Sequence, residues 1–94
     1  MNTSEAVALM MEGKRVSRTA WINDEKPTFI VITPGSVVIA SFNPMVDHLG
    51  EGAVFTSRDH IDAIFKYPNG QIECDVGYPL AHDDIFASDW FEVK

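Results

Sequence analysis

Glu12-Gly13-Lys14-Arg15-Val16-Ser17-Arg18-Thr19-Ala20-Trp21 is the stretch where one periodicity ends and another begins. Upstream of it, Ala6, Leu9 and Met10 recur at i, i+3 and i+4, so Ser4 to Glu12 reads as a short helix. Thr3 or Ser4 suits its N-cap, and Glu5 falls in the first turn, where a carboxylate favours the helix dipole. Gly13 suits the left-handed residue that closes a helix. Downstream, an extended reading puts Val16, Arg18 and Ala20 on one face and Arg15, Ser17, Thr19 and Trp21 on the other. A helix this short is not stable alone and must pack its apolar face on a sheet. Two arginines and an indole suit a flat, anionic ligand. The same residues also suit a surface strand with snorkelling arginines and a core tryptophan.

Beyond this stretch, Asn23 to Pro27 is a polar loop. Phe29-Ile30-Val31-Ile32-Thr33 is β-branched and bounded by turn residues, hence a strand. Its near-continuous apolarity points to burial on both faces, with a partner subunit as one way to cover the second. Pro34-Gly35 fits the centre of a type II turn, so Ser36 to Phe42 reads as the returning strand of a hairpin. Asn43 to Gly52 reads as a loop, and Ala53 to Thr56 as a short strand or part of that loop. Arg58 to Asp62 is polar with little period. Ala63 to Tyr67 is a strand, Pro68-Asn69-Gly70 a turn, and Gln71 to Val76 its antiparallel return. Ala81 to Ala87 fits one helical turn, and Asp89 to Val93 alternates as a closing strand, with Trp90 as its core anchor. The expected fold is α+β: an antiparallel β-sheet, an N-terminal helix packed on it, and a short helical turn before the last strand.

Ninety-four residues suffice for a single domain, 1–94, with one core. Hydrophobic residues are 46% of the chain and charged residues 22%, which is ordinary for a globular domain. No apolar run approaches the length of a membrane span, and the opening residues do not resemble a signal peptide. A single cysteine, Cys74, makes the cytoplasm the expected compartment and reads as a small buried residue within its strand. The formal net charge of −7 argues against a nucleic-acid polymer as partner. A small anion is a different matter, because a few aligned donors overcome the global sign locally.

Residues able to do chemistry are few. His60 and Asp62 would share a face of a strand, and His82 precedes Asp83 and Asp84. Either group could form a general acid/base pair or a metal site, but neither spacing matches a ligand motif, and both read as polar loop residues. The serines lack a nucleophile-elbow context, and Gly50-Glu51-Gly52 lacks the lysine and helix of a phosphate loop. No metal and no cofactor are expected.

Taken together, Glu5-Ala6, Glu12-Gly13-Lys14-Arg15-Val16, Arg18 and Trp21 resemble the opening of the phage Thoeris anti-defence proteins of the second type. Asp84-Ile85-Phe86-Ala87-Ser88-Asp89-Trp90-Phe91-Glu92 is similar to that family's ending, and Lys66 to Gly70 to its hairpin. The segment from Lys26 to Asp62 does not align. Ala20 and Ile22 flank Trp21 where the family often has Gly and Asn. Tyr78 stands where it commonly has Trp, and Ala81-His82 where it has Ser-Gln.

The resemblance implies a homotetrameric sponge in the host bacterial cytoplasm. Such a protein binds a cyclic ADP-ribose isomer made by a TIR-domain enzyme and holds it without cleaving it. Some relatives also bind cyclic oligonucleotides at separate sites. For such a ligand Trp21 and Phe29, with Tyr78 and His82, are the candidate ring contacts. Arg18, Arg15 or Arg58 would meet the pyrophosphate, and Asn23, Asp83 or Asp84 the ribose hydroxyls. Two other classes compete: a hydrolase of a cyclic nucleotide using His60 or His82, and an acidic inhibitor that binds a protein.

Overall fold

A computed structural model describes residues 1–41 and 44–94. The N-terminal helix α1 (Thr3–Met11) is capped by Asn2, one residue earlier than expected. Asn2 Oδ1 accepts from the Glu5 amide at 2.8 Å, and the Glu5 carboxylate accepts from the Asn2 amide at 3.0 Å. This reciprocal box satisfies two otherwise orphaned donors. Gly13 follows the helix with φ 85°, a conformation that suits a residue without a side chain.

Among the described residues seven strands follow: β1 (Val16–Arg18), β2 (Phe29–Thr33), β3 (Val37–Ile39), β4 (Val54–Thr56), β5 (His60–Lys66), β6 (Ile72–Val76) and β7 (Trp90–Glu92). Five form an antiparallel sheet in the order β6-β5-β2-β1-β7, and β3 and β4 form a second, two-stranded sheet. The short helix α3 (His82–Ile85) precedes β7. The architecture is therefore α+β, with the N-terminal helix, the antiparallel sheet and the helical turn in the expected places.

Helix α1 packs on β7, β1 and β2. Beneath it lies the core of Ala6, Met10, Val16, Trp21, Ile30, Ala63 and Trp90. Register explains the selection: Val16 pairs with Ile30, and Ile30 with Ala63, so these side chains line one face. The neighbouring positions Phe29, Val31 and Ile64 take the opposite face and are half-buried. Of β2, only Ile30 is fully buried within one copy of the chain. At the edge of that opposite face, Ile72 and Val76 are exposed, and so is Cys74, contrary to the expectation of a buried thiol.

The largest correction concerns Pro34-Gly35. The chain does not reverse there. It kinks and runs on in the same pairing: Ser36 and Ser57 exchange backbone hydrogen bonds of 3.0 and 2.7 Å, and Val37 then faces Thr56. Ser36 to Phe42 is thus not the return strand of β2. Within it, β3 pairs with β4, while Phe42 lies outside the described residues. Gly35 is required by proximity, because a Cβ there would sit 2.1 Å from the Ser57 carbonyl oxygen. Reversal comes at the tip of this arm. There Met45–Leu49 forms a short helix, α2, inside the segment 43–52 expected to be a loop, of which Asn43 lies outside the described residues. The polar His60-Asp62 segment is also strand, the first part of β5. No helix among the described residues is long and apolar enough to cross a membrane.

Candidate functional site

The extended alternation begun at Val16 ends at Arg18. Thr19–Trp21 forms a single 3-10 turn, and this turn swings Trp21 off the strand and into the core. Its ring is only 4% exposed and packs edge-on against Trp90 at 5.1 Å and Tyr78 at 6.4 Å between centroids. Trp21 is therefore a core residue, one of the two readings its stretch allows, and not an openly accessible ring. Only a small part of its surface reaches solvent, where it borders two hollows.

Asp84 organises what lies around it. Its Oδ1 accepts from Arg18 at 2.7 Å and from the Trp21 indole at 3.2 Å, and its Oδ2 accepts from the Ala81 amide at 2.9 Å. Its carbonyl accepts from Thr3 Oγ at 2.7 Å and from the Trp90 indole at 3.2 Å. Arg18 also donates from Nε to Asp89 Oδ1 at 2.8 Å. That bond is the main reason the Asp89 carboxyl lies below the usual carboxylate range, and the Ala20 amide adds to it. The Arg18 guanidinium is raised in turn, chiefly by Asp89. Burial, and then the charge of Asp84, push the Tyr78 phenol up. Arg18 and Asp84, expected to meet a phosphate and a ribose, thus spend these hydrogen bonds on each other and on Asp89, Trp21 and Ala81.

Both hollows are bordered by the loop that follows Trp21, through Asp24 and Lys26. The smaller, about 210 Å³, brings together Arg18, Trp21, Asp83 and Asp84 of the expected site, with Asp24 and Lys26. The larger is an open groove of about 840 Å³. Trp21 and Asn23 reach it from the expected site, and Lys26, Lys66, Tyr67 and Phe91 line it as well. Asn23 is held at φ 63°, a left-handed conformation that asparagine tolerates better than most residues. Among the described residues, neither Lys26 nor Lys66 has a carboxylate within ion-pair distance. Next to the groove, the Lys66 ammonium lies 5.6 Å from the centroid of the Phe29 ring and the Arg15 guanidinium lies 5.1 Å from it. Among the described residues the Arg15 guanidinium donates to the backbone oxygens of Val93 and Lys94. Lysine and arginine charge thus gathers beside aromatic rings in a chain whose net charge is −7.

The remaining expected residues stand apart. Arg58 lies at the kink of the arm, where its carbonyl is 2.8 Å from His60 Nδ1. His82 packs its ring on Phe86, 4.9 Å between centroids, on the exposed side of α3. His60 Nε2 is 3.3 Å from Asp62, whose other oxygen accepts from Thr33 Oγ. This cluster holds a hydroxyl, a carboxylate and an imidazole, but the hydroxyl bonds the carboxylate and not the imidazole. The imidazole-to-hydroxyl contact of a serine-type triad is therefore not made within it. Among the described residues, no three metal-ligating side chains converge.

The sequence did not single out Lys26, Lys66, Tyr67 and Phe91 as residues that line a groove, nor Asp89 as a partner of Arg18. Signals existed for some. Alternation along Asp89 to Val93 places Phe91 opposite the buried Trp90, and the turn after Lys66 puts Lys66 and Tyr67 at the end of a hairpin. A search of curated proteins finds no significant match. The model of the Tad2-like family, the Thoeris anti-defense 2-like domain, matches residues 1–93, and the chain belongs to that family.

Proposed function

We propose that this protein serves its Thoeris anti-defence role as a sponge. It binds a cyclic ADP-ribose isomer, such as the glycocyclic form made by a bacterial TIR-domain protein, and sequesters it uncleaved. The observation that carries the reading is that Lys26 and Lys66, with no carboxylate within ion-pair distance among the described residues, stand in a groove lined by Tyr67 and Phe91. A pyrophosphate needs such cations, and an adenine needs such rings. The groove's volume of about 840 Å³ falls within the range of small-molecule sites. Lys26 and Lys66 replace Arg18 as the phosphate contacts in this assignment, since two carboxylates neutralise Arg18. Asn23, Asp24 and Glu25, on the loop that walls the groove, are placed to meet ribose hydroxyls.

A sponge competes with the effector that reads the signal, so nanomolar affinity, about −12 kcal/mol, is the relevant scale. An open groove on one chain supplies less than that. The sheet face opposite α1, with Phe29, Val31 and Ile64 half-buried and Ile72 and Val76 exposed, offers an apolar surface for further copies. A homotetramer that encloses the groove is the assembly this reading calls for.

Calorimetric titration with a cyclic ADP-ribose isomer, followed by heat release and chromatography of the ligand, tests the proposal. Tight binding with intact ligand recovered is expected. Linear ADP-ribose accumulating with time, and lost in His60→Ala or His82→Ala, would assign a hydrolase instead. Failure to bind any cyclic nucleotide would favour an acidic protein-binding inhibitor.

A further inference from the structure

The loop from Ile22 to Pro27 forms much of the groove's wall, and it is fastened at its two ends. At the far end, Thr28 donates to the Ile64 carbonyl at 2.8 Å, and its Oγ accepts from the Lys66 amide at 2.9 Å. Inside the loop the ties are local: Asp24 to the Trp21 carbonyl at 3.3 Å, and Glu25 to Asp24 Oδ1 at 2.8 Å. The near end is the Thr19–Trp21 turn, and two carboxylates hold it. Asp89 Oδ2 accepts from the Ala20 amide at 2.9 Å, and the Asp89 carbonyl accepts from the Thr19 amide at 3.1 Å. Asp84 fixes the Trp21 indole through Nε1 at 3.2 Å. Arg18 joins the two acids, at 2.7 Å to Asp84 and 2.8 Å to Asp89. Neither acid lines the larger groove, whereas Trp21 does.

We infer that Asp84 and Asp89 are positioning residues for the groove, setting its affinity through the Trp21 ring and the start of the loop without touching ligand. The inference rests on the proposed reading of the groove as the nucleotide site. An isosteric amide at either position keeps an oxygen to accept one hydrogen bond. It removes the charge that draws Arg18 in, so the turn loses its common anchor.

The test compares Asp84→Asn and Asp89→Asn with Asp59→Asn. Asp59 is also hydrogen-bonded, its Oδ1 accepting from the Gly35 amide at 2.7 Å, but it lies at the kink of the arm and lines neither hollow. Three readings are taken on each variant: the unfolding temperature, the affinity for a cyclic ADP-ribose isomer, and the indole N–H resonances of Trp21 and Trp90. Asp84→Asn is expected to shift the Trp21 resonance. Both Arg18-network variants should weaken binding about tenfold to a hundredfold, as loss of a partner that orients a binding residue does at metal sites. Asp59→Asn is expected to leave affinity unchanged. Wild-type affinity in both Arg18-network variants overturns the inference, as does an equal loss in Asp59→Asn. Should Asp84→Asn not fold, Asp89→Asn decides alone. A wild-type protein that binds no cyclic nucleotide sinks the sponge reading separately. Positioning is then judged on the Trp21 resonance and on amide exchange along 22–27, and no change in either overturns it.

Discussion

Arg18 and Lys66 carry the same charge and live differently. Arg18 is bound to two carboxylates under the helix-bearing face of the sheet, with its side chain 13% exposed. Lys66 ends β5 beside an open groove, with no described carboxylate within ion-pair distance and an aromatic ring for a neighbour. Burying a cation forces the fold to pair it, because an unpaired buried charge costs several kcal/mol. A cation left in a groove costs little while empty and becomes useful when an anion arrives. The comparison teaches that the charge available for function is the charge the fold has not already used.

The largest break expected in this comparison lies on the Arg18 side. Trp21→Ala and Trp90→Ala each remove a ring almost fully enclosed by the core, and each should cost about 3–5 kcal/mol of stability. Marginal domains hold only about 5–15 kcal/mol in all, so chemical denaturation of both variants is a stringent check. Trp21→Ala staying as stable as wild type would return Trp21 to the role of an open stacking ring. Arg18→Met should follow, because it leaves Asp84 and Asp89 without their cation; loss of one partner from a buried pair costs about 3–5 kcal/mol. Lys66→Met is the counterpart. Its effect on stability should stay within about 0.5 kcal/mol, the usual range for a surface change. Its effect on binding should be about tenfold to a hundredfold, from the loss of a charge-assisted bond of roughly 1.5–3 kcal/mol. That loss should shrink as salt is raised. Equal destabilisation by Arg18→Met and Lys66→Met would erase the distinction.

Much of the sheet was legible because its signals are local. Phe29 to Thr33 is β-branched, Pro68-Asn69-Gly70 makes a turn, and Asp89 to Val93 alternates. Pro34-Gly35 misled because its local signal is also good. Pro-Gly does favour a turn, but the glycine answers to the Ser57 carbonyl, twenty-two positions on in the chain, and no local rule contains that neighbour. Helix α2 was missed for the opposite reason: five residues show no period, and its boundaries are marked only by Pro44 and Gly50. In the site, the residue types at Arg18, Trp21 and Asp84 stood out, but their mutual pairing spans 66 and 63 positions. Charge pairing at that distance is a tertiary fact. Without it a paired arginine and an unpaired lysine look alike, and the arginine, with its better phosphate geometry, draws the attention.

The smallest effect expected concerns pH, and it isolates one arm of the Arg18 network. Asp89 is depressed below its ordinary carboxylate value, first by the hydrogen bond from Arg18 and further by the Ala20 amide. The unfolded chain lacks these partners, so there the group titrates near the ordinary value and binds a proton first. Stability from this interaction is therefore fully present above the unfolded value of 3.8 and is lost as pH falls through the depressed folded value. Asp89→Asn keeps an oxygen for Ala20 and removes the charge. Because the side chain is 31% exposed, solvent screens part of the interaction, and a difference of about 1 kcal/mol near neutral pH is expected. Stability curves of wild type and Asp89→Asn, measured by urea unfolding from neutral pH down to pH 2.5 or so (about the acid limit for a carboxylate-driven transition), should run apart near neutrality and converge at the acid end. Curves that stay parallel throughout would mean that the Asp89 charge adds nothing to holding the turn, leaving Asp84 as the anchor on that side of the groove.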